Sequence, residues 1–291
     1  RVLYDVRILL TAPKVDQDPR ITMVVYTDET LAATGQRSPL DRTILARALA
    51  NIDAMHAKAI GIDILIDQAQ PDDGALIRTF QAMRTPTFLA FASNATNAGY
   101  VRTWQEKFMR GFLARVGRSA VRPASIRIVP DPDGVMRSWS NQPASLPPLM
   151  ANAMAPGERG FQQYLGGIRF RLPRYPDRPV FNSLPIDLLA DPALAGAMRS
   201  QIEGRYILIG GDIADIDQFQ TPLTRLTKQT MIGLEVHASM LAQLLDGRRF
   251  FLTPGWSLWI AALLVVLCAG LSSMLDMRAR RLGLVIGGQV A

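Results

Sequence analysis

Charged and apolar positions divide the chain into a long mixed region and an apolar tail. Residues 250–275 contain no charged side chain, and a helix of this length crosses the ~30 Å hydrocarbon layer of a membrane. Trp256 and Trp259 lie near one end of this run, and aromatic side chains favour the headgroup level. The pattern predicts a transmembrane helix over residues 250–277. A buried core helix is the alternative, but such helices rarely lack a polar face over this length.

The residues after this run indicate its orientation. Three arginines and one aspartate lie between residues 276 and 281, and the sequence then becomes apolar again. Short loops rich in arginine tend to stay in the cytoplasm, whereas a whole domain can be translocated despite its charge. We therefore expect a cytoplasmic turn at residues 278–281, the start of a second transmembrane helix at residues 282–291, and a main domain outside the cytoplasm.

Short β-rich apolar runs alternate with helical patterns before the tail. Asp41 is a suitable N-cap for a helix whose apolar residues lie on one side, and similar patterns follow later. A strand, a helix and a strand in this order predict parallel strands. The predicted strands are residues 20–27, 59–66, 85–92 and 205–211, and the predicted helices follow Asp41 and cover residues 73–83 and 232–245.

The middle of the chain is less regular. Residues 125–129, 134–139 and 167–172 alternate enough to predict short strands, and an Ala-rich helix follows the proline-rich loop at 143–148. Residues 1–19 predict a membrane-proximal helix and linker, with further sequence expected upstream of Arg1. The predicted fold is α/β, with a mainly parallel sheet flanked by helices, an irregular β-containing insertion, an extracytoplasmic domain at residues 20–249, and transmembrane α-helices after it.

Composition narrows the classes of partner. The 32 Lys and Arg residues exceed the 25 Asp and Glu residues, but the basic residues are scattered along the chain. Nucleic-acid sites need a clustered basic face, so we expect the lipid bilayer as a partner and no nucleic acid. Cys268 is the single cysteine, which excludes an intrachain disulfide and a cysteine-based metal site. We expect no cofactor and no bound metal.

Carboxylates follow or interrupt three of the apolar runs. Asp28 follows the first, Asp63 interrupts the second, and Asp212, Asp215 and Asp217 follow the last. In an open parallel sheet these side chains could converge at the carboxyl ends of the strands and orient a polar ligand. The alternative is that each one caps a helix or a turn, as most such aspartates do. Because an interior carboxylate needs a partner, we predict that Arg42 pairs with Asp63.

Signs of catalysis are weak. His56 and His237 are far apart, no HExxH pair or GxSxG elbow occurs, and neither GxGxxG nor GxxxxGK[ST] is present. A hydrolase that uses the carboxylates is the least favoured reading. We expect a protein that is not an enzyme. The candidate ligand-binding residues are Asp28, Arg42, Asp63, Asp212, Asp217 and His237.

Seven short motifs occur in order along the chain. They are TDETL (27–31), PLDR (39–42), GIDIL (61–65), DGVMR (133–137), GRYILIG (204–210), DQFQTP (217–222) and GLEVHA (233–238). Each motif is weak alone, but in this order they resemble the CHASE2 family of extracytoplasmic sensor domains, and the match covers most of residues 1–250. Thr27 departs from the family pattern because it occupies what is often the first Asp of an acidic pair. Ser38 and Leu40 replace the tryptophans that often flank the proline.

The resemblance implies a sensory input module of a bacterial transmembrane receptor. Members have membrane helices before and after the sensor domain and pass a signal to a cyclase or kinase in the cytoplasm. The implied location is the cytoplasmic membrane with the main domain in the periplasm, and the implied partners include a small-molecule or protein ligand and a homodimer or larger membrane complex. The alternative is a membrane-anchored interaction subunit that senses no small molecule.

Overall fold

The computed structural model describes residues 2–35, 40–157, 161–214, 217–225, 230–250 and 255–274. The chain forms two compact units, Arg1–Phe250 and Phe251–Ala291. The first unit holds the sheet and nearly all the helices. The second unit contains one described helix.

The first unit is built around a parallel sheet of six strands, in the order β5-β4-β3-β8-β2-β7. Two small ribbons pair β1 with β6 and β9 with β10. The strands are β1 (Lys14–Val15), β2 (Ile21–Thr27), β3 (Ala59–Ile62), β4 (Thr87–Phe91), β5 (Val121–Ser125), β6 (Leu172–Pro173), β7 (Asn182–Pro185), β8 (Tyr206–Asp212), β9 (Gln218–Phe219) and β10 (Met231–Ile232).

Helices cover both faces of the sheet. A 3₁₀ helix, Gly196–Gln201, follows the ninth α-helix. The α-helices are α1 (Val2–Thr11), α2 (Asp28–Thr34), α3 (Arg42–Ala54), α4 (Asp73–Ala82), α5 (Asn94–Asn97), α6 (Thr103–Val116), α7 (Met150–Met154), α8 (Ile186–Ala190), α9 (Pro192–Ala195), α10 (Gly233–Leu245) and α11 (Gly255–Met274).

Alternating side chains of the central strands divide the core into two layers. On β8, Tyr206 and Leu208 face the layer that contains α7 and α10, whereas Ile207 and Ile209 face the layer that contains α3, α4 and α8. Successive side chains of a strand point to opposite faces, and strands buried on both faces are apolar throughout. This explains why the apolar runs of β2 and β8 show no polar alternation.

The absence of a side chain at Gly61 allows α7 to pack closely on β3. A Cβ atom there would lie 2.5 Å from Met154 Sδ and 3.0 Å from Met150 Sδ. Real Cβ atoms do not approach other atoms this closely, so a larger residue would push α7 away from the sheet. Gly61 therefore fixes the position of a helix that also packs against α10.

Most predicted elements are confirmed. Asp41 caps α3 by accepting hydrogen bonds from Thr43 N at 2.7 Å and Ile44 N at 3.0 Å. The predicted strands at the start and end of the domain form β2 and β8, and all pairs in the large sheet are parallel. The α/β class with a mainly parallel sheet flanked by helices is therefore confirmed.

The irregular middle was predicted less well. Strand β5 ends at Ser125, so the strand predicted over residues 125–129 shares only that residue with it. Residues 134–139 and 167–172 form mainly isolated bridges, Val135 with Gln220 and Ser138 with Gly167. The strand predicted over residues 59–66 ends at Ile62, so Asp63 lies just past the strand and not within it.

The second unit contains α11, a helix of 20 residues with no charged side chain. Its large apolar side chains are exposed wherever they are described, for example Trp259 and Val266. Within the described part of the chain, no helix combines the length and apolar character that a membrane span requires. Residues 251–254 and 275–277 of the predicted span lie outside the described residues, and the span over residues 250–277 stays a prediction.

Candidate functional site

Three parallel strands end side by side at one edge of the sheet. Thr27, at the end of β2, lies opposite Asp212, at the end of β8. On the other side of β8, the chain leaves β3 at Asp63, whose backbone N–H donates to the Ile209 carbonyl at 2.7 Å. This hydrogen bond continues the pairing of β3 with β8 by one residue. It fixes the backbone of Asp63 against the central strand.

The first turn of α10 lies over the same edge. The backbone N–H of Gly233 donates to the Asp217 carbonyl at 2.9 Å, and a Cβ atom at Gly233 would clash with the Asp217 carboxylate. A Cβ atom at Gly210 would lie 2.9 Å from Leu234. Gly233 therefore allows the Asp217 carboxylate to lie close to the start of α10, and Gly210 allows α10 to lie close to the sheet.

His237 lies one turn further along α10 and faces Asp63. The distance from His237 Nε2 to Asp63 Oδ2 is 3.7 Å, and the two side chains are 2% and 7% exposed. This separation is longer than a hydrogen bond, so the two side chains are close neighbours without a direct hydrogen bond. We call Asp63, Asp217 and His237 the acid–histidine cluster.

Burial changes the protonation of every member of this cluster. It raises the pKa of Asp63 to about 7. Burial also raises the pKa of Asp217 to about 7, with a further contribution from the charge of Asp63 and opposition from His237. Asp217 is exposed as a residue, so solvent screens part of this effect. Burial lowers the pKa of His237 to about 4, and Asp217 opposes that shift. Each shift favours the uncharged form, as desolvation does.

The cluster is suited to exchanging a proton or a hydrogen bond near neutral pH. His237 Nδ1 is buried and makes no full hydrogen bond within the described residues, although the Ile126 backbone lies close enough to favour the protonated ring. Over that same part of the chain, no group of three His, Cys, Asp or Glu side chains could hold a metal ion. The arrangement therefore supports proton uptake or recognition of a polar ligand.

Two predicted site residues lie at the same sheet edge but outside the cluster. Asp28 Oδ2 accepts a hydrogen bond from Ala214 N at 3.2 Å, which joins the start of α2 to the loop after β8. Asp212 is exposed, and its charge adds to burial in raising the pKa of Glu235. Asp215 lies outside the described residues.

The predicted pairing of Arg42 with Asp63 is wrong. Arg42 forms an ion pair with Asp73, at the start of α4, and also donates to the Gln68 carbonyl at 2.5 Å. Both members of the pair are buried, and burial lowers the pKa of Arg42 to about 10. The partner of Asp63 is His237, which no local sequence signal connects to it. The structure thus brings together three of the six candidate residues.

The sequence analysis did not predict a second cluster of ionisable side chains, which is centred on Arg137. Arg137 is 5% exposed at its side chain and donates to both oxygens of Asp5 at 2.6 Å, while Asp5 is fully buried. Arg137 also binds Asp133, and Arg225 bridges Asp5 and Asp133. These contacts join α1 to the DGVMR turn. Asp133 and Arg137 lie in one motif, and their spacing could have indicated this ion pair from the sequence.

The fold and the cluster define an α/β domain of parallel strands whose buried polar site lies at the carboxyl ends of the strands. The chain belongs to the CHASE2 domain family, whose pattern matches residues 1–274. CHASE2 domains are extracytoplasmic sensory domains that typically occur in signalling receptors. No curated protein and no solved structure matches the chain.

Four of the seven family motifs meet at the acid–histidine cluster. GIDIL supplies Asp63, DQFQTP supplies Asp217, and GLEVHA supplies Gly233 and His237. GRYILIG supplies the Ile209 carbonyl that holds Asp63. Motifs that are distant in the sequence are therefore adjacent in the fold.

Proposed function

We propose that the chain is the extracytoplasmic sensory input module of a bacterial transmembrane receptor. In this proposal it passes a signal through membrane helices to a cytoplasmic cyclase or kinase, and it catalyses no reaction itself. The observation that carries the proposal is the convergence of four family motifs at the start of α10. Helix α11 begins at Gly255, soon after α10 ends at Leu245 in the sequence, so a change at the cluster has a short covalent route to the next unit.

The input site in this proposal is the acid–histidine cluster, with Asp28 and Asp212 at its margin. A ligand or proton that changes the charge of Asp63 or Asp217 also changes the contact with His237 on α10. Because Gly233 and Asp217 are in direct contact, a shift of Asp217 bears on the first turn of the helix. Rigid helices transmit small displacements over their whole length.

Membrane attachment through residues 250–277 is part of the proposal. Helix α11 is uncharged, and nine of its large apolar side chains are exposed. Contiguous exposed apolar surface of this kind is unfavourable in water and is typical of a site that contacts lipid or protein. The arginines at 278–281 would then lie in the cytoplasm and the main domain in the periplasm.

Rigid coupling can be tested by inserting four Gly and Ser residues after Asp246 in the full-length receptor. We expect effector output to stop following the stimulus, because the insertion separates α10 from the next helix. The same insertion after Gly99 is the control, since that exposed turn lies beside Tyr100, which is 90% exposed. Unchanged output with the Asp246 insertion would contradict the proposal.

The orientation can be tested with a single engineered thiol. In a Cys268→Ser background, Tyr100→Cys should react with a membrane-impermeant maleimide added to cells with a permeable outer membrane and an intact inner membrane. Labelling only after the inner membrane is broken would place the domain in the cytoplasm and overturn the receptor topology.

A further inference from the structure

An open cleft lies beside the edge strand β5, between α7 and the proline-rich loop at residues 143–148. Its volume is about 740 Å³, and it adjoins a smaller cavity of about 320 Å³. Gln142, Leu149, Asn152 and Gln162 line both spaces. We call the two together the amide cleft. It is separate from the acid–histidine cluster, none of whose residues lines it.

The larger part of the amide cleft is mostly apolar, with Phe88, Pro123, Leu146 and Pro147 in its walls. An apolar surface of this kind binds the apolar part of a ligand, because the transfer of both apolar surfaces out of water lowers the free energy. The volume falls in the usual range for small-molecule sites, roughly 300–1,000 Å³. The size and lining both suit a small organic molecule.

The smaller part is lined by side-chain amides rather than charges. They belong to Asn141, Gln142, Asn152, Gln162 and Gln163. Gln142 donates to the Pro147 carbonyl at 2.5 Å, which fixes its orientation. Its Oε1 atom is buried and has no hydrogen-bond partner among the residues that the structure describes. A buried acceptor without a partner costs free energy, and a ligand donor would remove that cost.

Charged side chains are scarce in the described lining of the amide cleft. Among the described lining residues the one charged side chain is Arg122. Its guanidinium already donates to the Ser119 and Val121 carbonyls, at 2.7 and 2.8 Å. No carboxylate is among the described lining residues, so a cation has no counterion there, and uncharged side chains make up the rest of that lining. The described lining therefore suits an uncharged ligand better than a charged one.

We infer that the amide cleft binds an uncharged amphipathic small molecule. Hydroxyl or N–H donors of its polar head meet Gln142 and the neighbouring amides, and its apolar part lies along the prolines and Phe88. This site differs in chemistry from the acid–histidine cluster. Ligand binding in the amide cleft does not depend on the proposed receptor function. Only an effect of that binding on effector output rests on the proposed function.

The walls of the cleft are connected to the end of the first unit. Phe161 and Tyr164 line the smaller cavity and pack against Trp139, with ring centroids 5.2 and 5.6 Å from it. Trp139 Nε1 donates to the fully buried Gln243 of α10 at 2.9 Å. Tyr164 accepts a hydrogen bond from Phe250 N at 2.7 Å. Gln243 Nε2 also donates to the Tyr164 hydroxyl at 3.4 Å. A head group bound against Tyr164 therefore lies two contacts from Gln243 of α10 and two from Phe250, the last residue of the unit.

The test uses hexyl β-glucoside as the uncharged probe and hexanoate as a charged probe with a similar tail. Binding to the full chain in lipid nanodiscs is measured by saturation-transfer NMR, with empty nanodiscs subtracted. We expect saturable binding of hexyl β-glucoside and at least tenfold weaker binding of hexanoate. Equal binding of the two probes, or no saturable binding of the glucoside, would overturn the inference.

Two variants locate the binding. Ala144 is exposed at the cleft, so Ala144→Trp should block it and weaken glucoside binding at least tenfold without changing the core. Ala33→Trp, on the exposed surface of α2, is the matched control and should bind as the wild type does. Undiminished binding by Ala144→Trp would overturn the site. The binding assay needs no effector, so a negative result would contradict the amide cleft as a binding site but not the receptor proposal. Unchanged output in the Asp246 insertion test would contradict the receptor proposal but not the binding site.

Discussion

At the acid–histidine cluster, the three ionisable groups each favour their uncharged state, and Asp63 and His237 are buried. The effect of Asp63 on stability has a definite sign. Burial raises its pKa from 3.8 to about 7, so the folded protein keeps a proton that the unfolded chain releases between these values. The free energy of unfolding therefore falls as the pH rises from about 4 to about 7. His237 acts in the opposite direction, because its lowered pKa removes stability as the pH falls from 6.5 to about 4.

Asp63→Asn should remove the fall in the free energy of unfolding between about pH 4 and pH 7. It should leave the pH dependence that comes from His237. Between pH 4 and pH 8 the variant should gain stability relative to the wild type by on the order of 3 kcal/mol. Urea unfolding followed by circular dichroism at both pH values measures the difference. Asp177→Asn, at an exposed loop position, is the control and should track the wild type. A constant difference between Asp63→Asn and wild type would show that Asp63 is ionised throughout.

Gly233 offers a second test at the scale of one residue. Gly233→Ala should displace the Asp217 carboxylate and destabilise the protein by about 1–3 kcal/mol, because a Cβ atom has no space there. Gly196→Ala is the matched control, since nothing lies within 4 Å of its Cβ position. Thermal unfolding of both variants gives the comparison. Equal effects of the two substitutions would argue against close packing of Asp217 on the helix start.

The sequence identified all three cluster residues as candidates but not their arrangement. Asp217 was recognisable because it follows a predicted strand, where carboxylates converge, and Asp63 because it interrupts an apolar run, where a carboxylate needs a partner. The partner of Asp63 was predicted wrongly because Arg42 is close in sequence, whereas His237 is distant. Only the position of β8, between β2 and β3, brings α10 over Asp63.

At the scale of elements, α1 is held to the domain by a buried ion pair and not by apolar contacts alone. Asp5 is fully buried and bound by Arg137 and Arg225. A buried carboxylate that loses its partner keeps its desolvation cost. The position of α1 therefore depends on the DGVMR turn, which is near the start of the chain only in the folded state.

Arg137→Met should destabilise the protein by about 3–5 kcal/mol, because it leaves Asp5 with Arg225 alone. Arg174→Met is the control, since the pair of Arg174 with Asp16 is exposed and such pairs contribute about 0–1 kcal/mol. Chemical unfolding of the two variants measures both losses. A loss for Arg137→Met no larger than that of the control would mean that α1 is held by other contacts.

Element boundaries were predicted best where burial is uniform. Strands β2 and β8 are apolar along nearly their whole length, and the sequence placed them within one or two residues. Strands β5 and β7 contain Arg122, Pro123, Asn182 and Pro185, and the first was displaced while the second was missed. Both are edge strands, where proline and polar residues are tolerated because one side is unpaired.

At the scale of the whole molecule, all three hydrophobic clusters lie within the first unit. The sheet, the acid–histidine cluster and the amide cleft are complete by Phe250. The stability of this unit therefore depends on residues 1–250. None of the described side chains of the apolar helix α11 is a core residue.

A chain ending at Phe250 should unfold within about 2 °C of the full chain, because it keeps every core residue. A chain ending at Ala242 is the contrast. It loses Gln243, whose buried amide joins Trp139, Gly167 and Arg248, and should unfold at least several degrees lower. Differential scanning calorimetry measures both. A large fall in the transition temperature of the chain ending at Phe250 would mean that α11 supports the domain.

The position of β8 has a consequence for how the protein is made. This strand lies between β2 and β3, yet it begins at Tyr206, long after both have left the ribosome. Until it is synthesised, β2 and β3 have no common neighbour, and the apolar faces of both remain without their central partner. The nascent chain must therefore stay open until β8 has been synthesised, and a chaperone or translocation channel that holds it would act before residue 206 emerges.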